Sequence, residues 1–243
     1  MFVILLRLCM CTVSYYPKKN GFILTHNRDE KIWRPIAKPP KNYHNQFIFP
    51  IDPYGNGTWI LDYPNGSVSL LNGAFIKHQP TPPYKKSRGL ILKEFINHSS
   101  LNFHQYIIAY DLEGIEPFTL ISVFQTESIN LNVYIWDGKE LHIIPKNPKK
   151  PLIWSAVTVY PIEIIKQREI WWNDWIEKHQ DATPDKILSF HLHGGDGNPR
   201  SNMAMIVPSE GQTVSISQII HDQNQRIFQY KDLLKSIQQK IIL

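Results

Sequence analysis

The chain has 243 residues, of which 42% are hydrophobic and 19% are charged. This balance predicts a folded globular protein and excludes a disordered chain. The formal net charge is +5, but the basic residues lie in short pairs such as Lys18-Lys19 and Lys85-Lys86. Because there is no basic helix or long basic run, we predict no nucleic-acid partner. The two cysteines, at positions 9 and 11, exclude a disulfide scaffold and a thiolate zinc site.

The first ten residues, MFVILLRLCM, resemble a fragment of a signal peptide, but Arg7 interrupts their apolar run. We expect Met10 to be the true start and residues 1–10 to be an upstream or removed segment. Residues 11–243 are then expected to form a single domain. No other segment approaches the length of a membrane-spanning helix, so we predict no membrane span. The scarcity of cysteine favours a reducing, cytoplasmic location.

The N-terminal part of the chain predicts two strand hairpins. Residues 11–16 and 22–26 read as strands around a turn at 17–21, and the second strand runs into the polar cluster 27–30. The proline-rich stretch that follows predicts an ordered loop or a surface excursion. A second hairpin is predicted between Gly57 and Leu71, and it ends at Asn72-Gly73.

The rest of the chain alternates between helical and strand patterns. Apolar spacing predicts helices over residues 87–96 (with Ser87 as N-cap), 103–110, 161–178 and 184–190. A loop is expected over 191–202. Strands are predicted over residues 118–124, 130–136, 140–144, 153–159, 203–207 and 213–220. This order predicts an α+β layered domain.

The polar residues at the strand ends predict an active site with a cysteine nucleophile. In an antiparallel hairpin, the start of the first strand lies beside the end of the second, which brings Cys11 near Arg28, Asp29 and Glu30. A neighbouring cation activates a thiol, and a carboxylate orients the groups around it. Asn72 closes the second hairpin, and its amide suits donation to an oxyanion.

The position of Met10 adds a general base to this arrangement. If methionine removal leaves Cys11 as the first residue, its α-amine has an ordinary pKa of ~7.7–8.0. Such a group accepts a proton readily at neutral pH. One residue would then supply both the nucleophile and the base. His191 and His193 form an H-x-H pair of a kind that binds zinc, but no third ligand is evident, and we predict no metal or other cofactor.

The sequence resembles the NRDE family, whose eukaryotic member is transport and Golgi organisation protein 2. The resemblance rests on Cys11 followed by the block Asn27-Arg28-Asp29-Glu30, and it spans almost all residues from Met10 to about Leu233. Further motifs are Gly57-Thr58-Trp59, Leu71-Asn72-Gly73-Ala74-Phe75, Ser87-Arg88-Gly89, Ile153-Trp154-Ser155-Ala156 and Val214-Ser215-Ile216-Ser217-Gln218-Ile219. The family resembles the N-terminal-nucleophile (Ntn) hydrolases that include penicillin V acylase and conjugated bile acid hydrolase. The resemblance implies an αββα sandwich with two packed, mainly antiparallel sheets.

These hydrolases cleave linear amide bonds with an N-terminal cysteine, supported by an arginine and an aspartate on the second strand. Cys11 matches the nucleophile, and Arg28 and Asp29 are the nearest arginine and aspartate. Their spacing from Cys11 differs from the pattern by about one residue. Because one residue on a strand changes the face, Asn27 and Glu30 are alternative occupants of these positions.

The same hydrolases use two asparagines and a later arginine. Asn72 matches the first asparagine, at the end of a similar hairpin. Ser155 stands where the second asparagine is expected, which departs from a full acylase site. Arg200 is the candidate for the later arginine.

The sequence leaves three functions open. The first is a cysteine amidohydrolase that cleaves a small-molecule substrate at a non-peptide C–N bond through Cys11. The second, implied by the resemblance, is a non-catalytic binding or trafficking protein for an apolar ligand such as haem or an acyl compound. The third is a structural protein without a small ligand. Reactivity of Cys11 and ligand binding after its replacement would separate them.

Overall fold

The structure is a computed structural model that describes residues 11–98, 100–158, 160–222 and 225–243. The expectation about residues 1–10 lies outside the described residues. In chain order the elements are β1 Cys11–Lys18, β2 Gly21–Glu30, β3 Lys38–Tyr43, β4 Phe47–Ile51, β5 Ile60–Tyr63, β6 Gly66–Asn72, α1 Gly89–Phe95, α2 Phe103–Ala109, β7 Phe118–Gln125, β8 Ile129–Trp136, β9 Leu141–Lys146, β10 Leu152–Ser155, α3 Ile162–Lys178, α4 Pro184–His193, β11 Ile206–Val207, β12 Gly211–Asp222, β13 Gln225–Asp232 and β14 Ile237–Ile242.

The strands form two packed antiparallel sheets of seven strands each. The first sheet has the order β10-β1-β2-β12-β13-β14, and β11 pairs with β12. The second has the order β3-β4-β5-β6-β7-β8-β9. Every pairing in both sheets is antiparallel. This arrangement confirms the predicted α+β sandwich.

Alternation along the strands builds three apolar layers. Val13 and Tyr15 of β1 point between the sheets and join the central core, while Tyr16 points outward to the helices α3 and α4. Trp172 of α3 is the largest side chain buried in that outer layer. On the other side, Phe95 of α1 packs with α2 against the second sheet. Helices therefore cover both outer faces, which gives the αββα order.

Several regions differ from the predictions. Strand β4 was not predicted, the strand predicted over 153–159 ends at Ser155, and the strand predicted over 203–207 is reduced to Ile206–Val207. The proline-rich stretch contains strand β3, with Pro39 and Pro40 inside it, because β3 lies at the edge of its sheet and has an irregular register between Lys38 and Lys41. Two further strands, β13 and β14, follow the last predicted strand. Within the described residues, no helix is long and apolar enough to cross a membrane.

The helix boundaries also differ in places. Helix α1 begins at Gly89 with Arg88 as N-cap, so the prediction of Ser87 at this position was wrong. Helix α4 continues to His193, whereas a loop was predicted from His191 onwards. The predicted helices over 103–110 and 161–178 are confirmed by α2 and α3.

Candidate functional site

A cleft of about 910 Å³ opens between the sheets at the end where β1 begins. We call it the Cys11 cleft. Cys11 of β1 lines the cleft with only 6% of its surface exposed. The lining also includes Arg28, Glu30 and Asn72. The cleft therefore brings the thiol together with several of the residues that the sequence singled out.

The register of the first hairpin places Cys11 directly opposite Arg28. Residues opposite each other on antiparallel strands project from the same face, with Cβ atoms ~4.5–5.5 Å apart. This face is turned toward the second sheet, because the Arg28 guanidinium lies over the Trp59 ring at 4.4 Å. Glu30, two residues further along β2, shares that face. A thiol, a guanidinium and a carboxylate thus project into one end of the sandwich.

Arg28 belongs to a cluster of two arginines and two acids. Its Nη2 lies 3.2 Å from Glu30 Oε2 and 3.6 Å from Asp52 Oδ1. Arg34 Nε contacts the same Glu30 Oε2 at 3.2 Å, and Arg34 Nη2 pairs with Asp52 Oδ2. Burial raises the Asp52 pKa, but the hydrogen bonds and charge of Arg34, with the charge of Arg28, outweigh burial and hold that pKa below its ordinary value. The two positive and two negative charges balance, and the contacts with Glu30 and Asp52 hold the Arg28 guanidinium in place.

Asn27 points to the opposite face of β2, toward helix α4. Its side-chain amide donates hydrogen bonds to the carbonyl oxygens of His191, at 2.9 Å, and Met203, at 2.8 Å. Since Asn27 Oδ1 can only accept, His191 Nδ1 donates to it at 2.7 Å, and His191 Nε2 accepts from the Ser14 hydroxyl at 2.7 Å. Burial, helped by the charge of Arg168, lowers the His191 pKa to about 3, so this imidazole is neutral. Asn27 therefore joins β2 to the helix layer.

Asp29 also faces the helix layer and is fully buried. Tyr160 donates its hydroxyl to Asp29 Oδ2 at 2.8 Å, and the Thr213 hydroxyl donates to Oδ1 at 2.5 Å. Burial raises the Asp29 pKa to about 7, against the lowering effects of Arg168, Thr213 and Tyr160. Its side chain is thus separated by the strand from the thiol, although Asp29 contributes to the cleft wall.

The remaining predicted site residues lie in three different places. Asn72 ends β6 and lines the Cys11 cleft. Ser155 lies opposite Thr12 in the sheet, and their hydroxyl oxygens are 3.2 Å apart on the helix-facing side. Arg200 lies outside the cleft, with 62% of its side chain exposed and its guanidinium 3.7 Å from Glu210. The structure does not bring Ser155 or Arg200 into contact with the cleft.

The cleft contains an arginine that sequence reasoning did not assign to the site. Arg88 Nη2 lies 3.0 Å from Glu116 Oε2, and its Nη1 donates to the carbonyl of Pro117 at 3.0 Å. Glu116 Oε1 is also 3.2 Å from His78 Nε2. Arg88 could have been found from the sequence, because it lies in the Ser87-Arg88-Gly89 motif. Glu116 lies in no such motif. Both residues line the Cys11 cleft.

The two histidines considered as metal ligands are on helix α4. Both ring nitrogens of His191 form hydrogen bonds, one with Ser14 and one with Asn27, so neither is available to a metal ion. Over the described ranges there is no group of three or more His, Cys, Asp or Glu side chains placed to hold a metal ion.

A family model described as Transport and Golgi organisation 2 matches residues 8–227, a range that contains every residue assigned to the Cys11 cleft. No curated protein matches the chain. Since the matched range covers most of the 243 residues, the chain belongs to the Transport and Golgi organisation 2 family.

Proposed function

We propose that the protein is an Ntn-type hydrolase that cleaves a linear amide bond of a small molecule with the thiol of Cys11. One observation carries the proposal: Cys11 lines a cleft of about 910 Å³ and lies directly opposite Arg28 on the neighbouring strand. The αββα order also agrees with the fold that the resemblance to Ntn hydrolases implies. In this proposal residues 11–243 act as one domain in the cytoplasm, where a thiol stays reduced.

The proposed reaction proceeds through an acyl-enzyme. After removal of residues 1–10, the α-amine of Cys11 accepts the thiol proton, and the sulfur attacks the amide carbonyl carbon. The tetrahedral intermediate collapses with cleavage of the C–N bond, and the α-ammonium gives its proton to the leaving amine. Water then attacks the thioester carbonyl carbon while the α-amine accepts a proton from it. The C–S bond breaks, the α-ammonium returns the proton to the sulfur, and a carboxylic acid leaves.

The cleft residues have different roles in this reaction. The Arg28 guanidinium favours the thiolate by its charge, while Glu30 and Asp52 hold it in position. We assign Asn72 to the oxyanion, because an amide donor in the cleft stabilises negative charge on the carbonyl oxygen. Asp29 acts from the opposite face of β2, by holding the strand and not by contacting substrate.

The test combines the mass of the protein with turnover. Protein expressed with its native upstream sequence should have a mass that begins at Cys11, and it should release amine from a panel of N-acyl amides of varied acyl length. Cys11→Ala should abolish turnover, whereas Arg200→Ala, at an exposed arginine outside the cleft, should retain it. A chain that keeps Met10 and turns over no amide would refute the hydrolase.

The aromatic lining of the cleft favours a second candidate function, the binding of an apolar ligand such as haem or an acyl compound. Trp33, Tyr54, Trp59 and Tyr84 line the cleft, and its volume suits a ligand of that size. The two functions are separated by Cys11→Ser. Haem or fatty-acid binding that is unchanged in this variant, with no turnover by wild-type protein, supports the carrier; loss of turnover with retained binding supports the hydrolase.

A further inference from the structure

A buried arginine lies behind the strand that carries the thiol. Arg168 of helix α3 is fully buried, and its guanidinium lies over the Tyr160 ring at 3.9 Å. It donates hydrogen bonds to the Thr12 hydroxyl and to the carbonyl oxygens of Ser201, at 3.0 Å, and Asn202. Burial of an uncompensated guanidinium costs several kcal/mol, so these acceptors must stay in place for the helix to pack.

Thr12 is the residue that follows the thiol in β1. On its other side, the strand is held by β10, where Ala156 N–H donates to the Cys11 carbonyl at 2.9 Å and the pairing of Thr12 with Ser155 begins. Successive strand residues point to opposite faces. A hydrogen bond that fixes the Thr12 side chain toward the helices therefore also fixes the direction in which Cys11 points into the cleft.

The same arginine reaches the neighbouring strand through Tyr160. The Tyr160 ring lies under the guanidinium, and its hydroxyl donates to Asp29 of β2 at 2.8 Å. Asp29 adjoins Arg28, the residue opposite Cys11. Arg168 thus holds the ends of both strands that carry the thiol and the guanidinium.

We propose that Arg168 is a positioning residue, which through Thr12 and Tyr160 fixes Cys11 and Arg28 relative to each other in the cleft. This assignment deepens the proposed hydrolase function and rests on it for its catalytic meaning. The positioning itself, however, is a property of the strand ends that is measurable without a substrate.

The first test is Arg168→Met. Loss of the hydrogen bonds should expose the buried thiol, so alkylation of Cys11 by iodoacetamide, located by peptide mass mapping, should become about tenfold faster or more. Amide hydrogen exchange should accelerate in residues 11–14 and 28–30 but not in strands β6 to β8. If the wild-type protein hydrolyses an amide, kcat should fall at least as strongly while KM stays within about threefold.

Two further comparisons keep the result decisive. Lys166→Met removes an exposed positive charge from the same helix and should behave as wild type in every assay. If Arg168→Met does not fold, the pair Thr12→Val and Thr12→Ser decides the question: valine removes the acceptor and should accelerate alkylation, whereas serine keeps a hydroxyl and should restore the wild-type rate.

Wild-type rates of alkylation and local exchange in folded Arg168→Met, or in Thr12→Val, would overturn the positioning role. Equal acceleration throughout both sheets would overturn it as well, since it would indicate general destabilisation. Absence of amide turnover in the wild-type protein would instead remove the hydrolase function, while alkylation and exchange would still decide the role of Arg168.

Discussion

Asp29→Asn tests the electrostatics behind the cleft, because the pKa of Asp29 makes stability depend on pH. Burial raises this pKa from 3.8 to about 7 in the folded protein. Between these two values the folded protein holds a proton that the unfolded chain has released. Stability falls with pH wherever the folded state binds the additional proton. The contribution of Asp29 is thus fully present below about pH 4 and is lost as the pH rises through about 7.

The size of this effect follows from the two pKa values. A difference of about 3 pKa units corresponds to about 4 kcal/mol, since one unit is worth ~1.36 kcal/mol. Asparagine is neutral at every pH and has a similar shape. Its free energy of unfolding, relative to wild type, should therefore rise by about 4 kcal/mol between pH 4 and pH 8.

The assay is urea denaturation of both proteins at each pH unit from 4 to 8, with linear extrapolation to water. Asp181→Asn, at an exposed aspartate, controls for the loss of one negative charge. An equal difference between Asp29→Asn and wild type at pH 4 and pH 8 would show that folding does not raise the Asp29 pKa. A change of the opposite sign would show that the folded protein stabilises the charged carboxylate.

Three other substitutions test separate parts of the structure. Because the folded protein lowers the His191 pKa to about 3, the free energy of unfolding of wild type should fall by up to about 5 kcal/mol as the pH falls from 6.5 to 3. His191→Gln should remove this pH dependence in the same urea assay. Asn27→Ala removes the hydrogen-bond donor of the His191 and Met203 carbonyls. It should therefore lower the free energy of unfolding by about 2–4 kcal/mol at pH 7, measured by thermal unfolding. Phe95→Ala should lower the free energy of unfolding by about 3–5 kcal/mol in urea denaturation. Because Phe95 packs on the far side of the second sheet, the rate of Cys11 alkylation in the folded protein should not change. Faster alkylation of the folded variant would contradict this separation.

The first hairpin shows how far the sequence determines the site. Alternation and the turn residues predict that Cys11 and residues 27–30 meet at one end of a strand pair. Which of residues 27–30 share a sheet face with Cys11 is harder to predict, since the pairing register depends on the length of the turn. The predicted turn covers residues 17–21, whereas the strands extend to Lys18 and Gly21, which are paired. This register places Arg28, and not Asp29, opposite the thiol.

Other parts of the site depend on contacts that local patterns do not encode. Arg34 and Asp52 meet in the charge cluster because β4 pairs with β3 and β5 beside it, and neither β3 nor β4 was predicted. Arg88 and Glu116 come from a helix start and a loop 28 positions apart. Only the packing of helices on the second sheet brings them to the cleft wall. The sequence signal for such residues is a motif without an evident local role, as at Ser87-Arg88-Gly89.

The block at residues 27–30 has two roles because a strand has two faces. Arg28 and Glu30 project into the cleft, where they share a charge cluster, while Asn27 and Asp29 bind the helix layer. Substitutions in adjacent positions should therefore have different effects. Changes at Asn27 should act mainly on the free energy of unfolding, and changes at Arg28 should act mainly on the reactivity of Cys11. Changes at Asp29 should affect both, because its hydrogen bond from Tyr160 holds the end of β2. Strand β2 thus couples the cleft to the helices, and a four-residue motif can be required in full although only half of it faces the cleft.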